Sequence, residues 1–192
     1  MTNLKEGAII VSLIDALNQR GSFCGETHVQ KGAYFLRELT GVPLESLFTL
    51  YLFGPYSFQL HELLNQLRAE ELVQLEPRAM GASWRPGERY HLLKQNFPTT
   101  LSHVQRRVDF VADKVAKLGV VDLEPLATAL YVTRSQPSLP RDERAHALRA
   151  IKTRVDDAAA RKAVETIDAW QAEARAAGLA EFEQPARTAP LL

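Results

Sequence analysis

The chain opens on Ile9, Ile10, Leu13, Ile14 and Leu17, apolar positions that repeat at three and four residues and so line one face of a helix. This spacing predicts a first helix from Leu4 to Gln19, stopped by Gly21-Ser22. A second helix is expected with Thr27 as its cap, Val29, Ala33, Leu36 and Leu39 turned inward, and Gly41 at the left-handed C-terminal position. Pro43 forbids its continuation. Residues 46–53 are aromatic and branched, and are bounded by Pro43 and Gly54-Pro55, so they read as a short strand or extended piece. Ser57 then precedes Leu60, Leu63, Leu64 and Leu67, the clearest helical stripe of the N-terminal half. From Leu72 the pattern changes to alternation. Leu72–Leu75 is expected to pair with Arg89–Leu93 as a hairpin across the turn-prone stretch that holds Gly81 and Pro86-Gly87.

Beyond Phe97-Pro98 the apolar positions again follow helical spacing. Leu101, Val104, Val108, Val111, Val115 and Leu118 form a stripe that needs a partner along its whole length. The expected partner is the chain's own last helix, through Ala160, Val164, Ile167 and Trp170, because packing within one chain carries no association entropy. The same stripe would also serve as a homo-oligomer interface. Between these helices lie one capped by Asp122, with Glu124 and Pro125 in its first turn, a loop bracketed by Pro137 and Pro140, and a helix holding Ala147, Leu148 and Ile151. The last helix begins near Asp156 or Asp157. The fold expected is mainly α with a small β-hairpin: a winged-helix-like module over residues 1–97, a helical extension packed on it over 98–178, and a loose tail over 179–192.

Charge narrows the function. Lys+Arg and Asp+Glu number 23 each, so no global field holds a polyphosphate. Within residues 1–97, nine basic residues face ten acidic ones. No apolar run approaches the roughly 18 residues of a membrane span, and the first residues lack a secretory pattern, so the cytoplasm is the expected location. The single Cys24 cannot form an internal disulfide.

Candidate chemistry is sparse. Cys24, Glu26 and His28 lie close in sequence, as a nucleophile and base or half a metal site would, but His61, His91, His103 and His146 are scattered and no second cysteine exists. The paired carboxylates Glu70-Glu71 and Asp156-Asp157 fall at helix ends, where charge has a structural use. No phosphate loop, nucleophile elbow or His-Glu-x-x-His helix is present. The expectation is therefore no catalysis, no cofactor and no metal. A DNA-binding alternative would use Gln66 and Arg68 on the 58–70 helix, with Arg78, Arg85 and Arg89 as wing cations and Trp84 as a stacking ring. The leading expectation is a protein partner, held at a groove of Tyr51, Phe53, Tyr56 and Phe58, although the same four aromatics would as readily fill a core. The turn chemistry of Gly54, Pro55 and Ser57 does not by itself call for an aromatic at position 56.

Several segments resemble a known group. Lys31-Gly32-Ala33-Tyr34-Phe35-Leu36, then Phe53-Gly54-Pro55-Tyr56-Ser57, the Leu60–Leu67 helix and its exit to Leu75 are similar to the YwgA-like proteins and, more distantly, to the Panacea family of antitoxin-associated domains. Leu123–Thr128, Ile151-Lys152 and the last helix resemble the YwgA-like pattern in particular, carrying the likeness over roughly residues 5–172. The resemblance implies a mostly helical, winged-helix-like domain without known catalytic residues. Its Panacea side implies toxin neutralisation through protein contact.

Overall fold

The computed structural model describes residues 3–79 and 81–180. It is mainly helical with two small antiparallel hairpins. Helix α1, Leu4–Gln19, is capped by Asn3, whose side chain accepts from the Glu6 N–H at 3.1 Å. Almost every residue of α1 from Glu6 to Leu17 is buried, which makes it the central helix of the core. Helix α2, Glu26–Thr40, ends on Gly41 at φ +66° as its sequence requires. Its cap, however, is Gly25, and Thr27 falls inside the first turn. A Cβ at Gly25 would meet the Phe23 ring at 3.0 Å, so the close entry into α2 selects glycine there.

The extended piece is a hairpin. Strand β1, Thr49–Tyr51, pairs with β2, Gly54–Tyr56, leaving Leu52-Phe53 at the tip. Ser57 caps α3, Phe58–Ala69, by accepting from the Leu60 N–H. Strand β3, Val73–Arg78, follows, but its partner β4 is Gly81–Pro86 and not residues 89–93. Leu75 faces Trp84 across the ladder. Residues 89–93 instead enter a short helix α4, Tyr90–Asn96, which buries Tyr90 and Leu93 at a spacing of three. The chain turns there because Pro86 ends β4, and the N–H groups of Gly87 and Arg89 bond back to the Leu72 and Glu71 carbonyls.

Helix α5, Pro98–Val115, starts one or two residues earlier than its threonines suggested, with Pro98 at its first position. Its stripe is satisfied within the chain, as expected, but by different helices. Val104, Val108, Val111 and Val115 are buried where α5 packs on α1 and α2, while α8, Asp157–Ala176, packs on α6, Val120–Ser135, on α7, Arg141–Ile151, and on α2. The Phe35 and Trp170 rings meet edge-on at 5.5 Å in that last contact. A helix apolar on every side, as α1 is, must be enclosed, and α5 completes the enclosure. Helix α6 is capped by Gly119, so Asp122 lies in its first turn and not at its cap. Gly178 at φ +64° closes α8, with the Leu179 N–H bonded to the Ala174 carbonyl. Leu179 is buried and its carbonyl accepts from Arg107 at 3.1 Å, so the expected tail does not begin there. Its remainder, 181–192, lies outside the described residues. One hydrophobic cluster runs from Ala8 in α1 to Trp170 in α8.

Candidate docking site

The first hairpin and the start of α3 bring three of the expected aromatics together. Tyr51, Tyr56 and Phe58 form a three-ring cluster, with Tyr56–Phe58 at 5.1 Å and Tyr51–Phe58 at 5.5 Å, both edge-on, and Tyr51–Tyr56 at 6.1 Å. Such a cluster is ordinarily core. Here it is open: Phe58 is 58% exposed, and at the hairpin tip Leu52 and Phe53 are 72% and 62% exposed. Leu47 is exposed as well. Exposed large apolar groups are thus concentrated within a dozen residues of the chain.

The backbone beneath them is held by polar side chains of other elements, two of them buried. Gln30, on α2, donates to the Ser57 carbonyl and accepts from the Ser57 N–H, both at 3.0 Å. Lys31, 2% exposed, donates to the Pro55 carbonyl at 2.8 Å. Lys152, just past α7, donates to the Leu52 carbonyl at 3.3 Å and pairs with Glu124 of α6 at 3.0 Å. Its ammonium also lies 5.8 Å from the centre of the Phe53 ring. Gly54, at φ +90°, lets β2 come down onto α6, since a Cβ there would stand 2.9 Å from the Thr128 hydroxyl. Burial drives the Lys31 ammonium down to a pKa of about 8, a fall that Glu124 opposes and Lys152 reinforces. The platform is therefore preorganised, which lowers the entropy lost when something binds to it.

Glu26 ties this face to the second hairpin. Its carboxylate accepts from the Trp84 indole at 3.1 Å, lies 3.0 Å from His61 Nδ1, and takes the hydroxyl of Tyr56. Burial first, and then that carboxylate, hold the Tyr56 phenol above its usual range. Sequence reading singled out the aromatics but not Gln30, Glu26 or Lys152 as their supports. The available signal was a lysine and a glutamine in α2 among positions that otherwise point into the core.

The other candidate residues are placed differently. Trp84 is buried, so its ring face is not offered to a base, a correction to its expected place on a wing. Arg78 and Arg85 each reach Glu76 at 2.9 Å, and Arg85 also bonds Asn18. Arg89 reaches the Glu70 carbonyl at 3.4 Å, and Gln66 bonds Glu62 at 3.3 Å on the exposed side of α3, where Arg68 is also exposed. Cys24 and His28 are both buried and have separate partners: the Cys24 N–H goes to Ser22, and His28 Nε2 lies 2.9 Å from the Leu118 carbonyl. Burial pushes the Cys24 thiol up to about 12 and the His28 imidazole down, the reverse of what an activated thiolate needs. Ellman's reagent should accordingly modify native Cys24 at least tenfold more slowly than the same cysteine in urea-unfolded chain, and equal rates would show the thiol to be accessible. Asp156 caps α8 and Asp157 pairs with Arg161, which accounts for that carboxylate pair structurally. No group of three or more metal-ligating side chains gathers among the described residues, and none of the described helices is long and apolar enough to cross a membrane. Comparison of the chain with protein-family models, with curated proteins and with solved structures found no match.

Proposed function

We propose that this chain is a non-catalytic interaction module that binds a protein partner through the platform of Tyr51, Phe53, Tyr56 and Phe58, with Leu52 at its tip. The observation that carries this reading is an exposed aromatic surface whose backbone is pinned by the buried side chains of Gln30 and Lys31 and by the half-buried Lys152. A hairpin of two three-residue strands has little stability of its own. Supporting it with hydrogen-bonded cations and an amide while leaving its apolar tip in water is an arrangement suited to contact. The resemblance to the YwgA-like and Panacea families points the same way.

The test uses three versions of the full chain immobilised for capture from the source cell: wild type, Leu52→Ser with Phe53→Ser, and Arg85→Ala with Arg89→Ala. A partner should be retained by the wild type and the arginine variant, and reduced at least tenfold on the serine variant. Retention of DNA that weakens steeply with salt and is lost with the arginines would replace this reading with the DNA-binding one.

A further inference from the structure

Beside the platform runs a groove of about 490 Å³ whose wall is Phe58 itself. Its other lining includes Glu6, Glu45 and Glu62 with Gln59 and Gln66, and among the described residues neither lysine nor arginine lines it. The three carboxylates differ in what they do. Glu6 is buried, and its two oxygens accept the backbone N–H groups of Glu45 and Ser46 at 3.2 and 3.1 Å, so it is occupied in fixing the loop before β1. Among the described residues the Glu62 carboxylate takes only the amide of Gln66, at 3.3 Å, and the Glu45 carboxylate has no hydrogen bond or ion pair. Both are exposed. Arg37, whose guanidinium reaches the Ser46 carbonyl from outside the groove at 2.6 Å, is paired with Glu38.

Two exposed carboxylates beside an aromatic face, with no lysine or arginine lining the groove among the described residues, leave a negative potential over a ring whose π-face is itself attractive to cations. Resting on the reading of the platform as a protein-binding surface, we infer that the bound segment of the partner carries an arginine or lysine next to an apolar side chain. The cation lies against Phe58 between Glu45 and Glu62, and the apolar neighbour covers Leu52 and Phe53. A nucleic acid backbone is repelled from this groove by the same carboxylates.

The experiment is selection of random dodecapeptides displayed on phage against the full chain, followed by solution binding of the enriched peptides to three proteins. These are the wild type, Glu45→Gln with Glu62→Gln, and Leu52→Ser with Phe53→Ser, each checked for an unchanged circular dichroism spectrum and thermal midpoint. Enriched peptides should share a basic residue adjacent to an apolar one. Their affinity should fall at least tenfold on the glutamine variant and should fall with added salt for the wild type. Peptides that lack a basic residue, or that bind the glutamine variant as tightly, but are lost on the serine variant, overturn the cationic partner and leave the platform standing. Peptides indifferent to both variants, or no enrichment at all, overturn the platform as well.

Discussion

Val111→Asp is expected to abolish the folded state at neutral pH. Val111 is fully buried on the face of α5 that packs against α1 and α2, among Val108, Ala112 and Val115. Arg20, at the end of α1, is already held by Asp109 and Asp113 at 3.0 and 2.5 Å. A carboxylate at position 111 would have no cation beside it in the core, and desolvating one ion costs several kcal/mol even after the structure relaxes. That is comparable with the whole stability of a domain, about 5–15 kcal/mol. The variant should show no cooperative thermal transition by circular dichroism. Val121→Asp is the control, since Val121 is 85% exposed and its substitution should shift stability by only about 0.5 kcal/mol. A Val111→Asp protein that remained folded as a monomer while the wild type was dimeric would make the α5 stripe an interface between copies.

The second large effect is a pH dependence that belongs to Lys31. Its ammonium is enclosed beneath β2, where it meets the Pro55 carbonyl, Glu124 and Lys152, and the folded chain lowers its pKa from 10.5 to about 8. Between those values the unfolded chain keeps the proton and the folded chain has lost it, so stability rises with pH across that window. Below pH 8 both states are protonated, and the folded state bears the cost of the buried charge in full. From pH 7.5 to 9.5 the stability of the wild type should therefore rise relative to Lys31→Met by about 2 kcal/mol. The comparison must be with the variant because Cys24 acts oppositely: burial raises its thiol to about 12, which lowers folded stability as pH climbs above 9. That contribution is common to both proteins and cancels. Urea unfolding at the two pH values measures the difference, and parallel behaviour of wild type and variant would mean that Lys31 keeps its proton in the fold.

Much of the helical frame was legible because it depends on local periodicity and capping chemistry. The bounds of α1, the Ser57 cap of α3, the Gly41 end of α2 and the Asp156 start of α8 follow from residues within a turn of each position. The second hairpin was misread for a related reason. Its β4 strand, Gly-Ala-Ser-Trp-Arg-Pro, carries almost no apolar alternation, whereas residues 89–93 carry some and are nevertheless helical. Pairing in β4 is decided by contact with the rest of the fold, through Asn18 and Glu26 around Trp84 and the Trp84 N–H to the Cys24 carbonyl. The partner of α5 was likewise invisible, since a regular apolar stripe specifies that it must be covered and leaves open which helix covers it.

At the candidate site the aromatics were readable and their exposure was not. Tyr51, Tyr56 and Phe58 look the same in sequence whether they fill a core or stand in water, because hydrophobicity records what a side chain gains from burial and says nothing of whether the fold grants it. By itself the sequence determined where helices start and stop and which of their faces need cover, since those depend on neighbours within a few residues. The tertiary structure alone decided that α1 takes the centre, that Lys31 and Gln30 are spent on the backbone of the Gly54–Tyr56 strand and its capping serine, and that Phe58 borders an acidic groove. Lys31 and Pro55 are 24 positions apart and Gln30 and Ser57 are 27, and only packing of the whole chain brings such groups within the few ångströms over which hydrogen bonds and desolvation act.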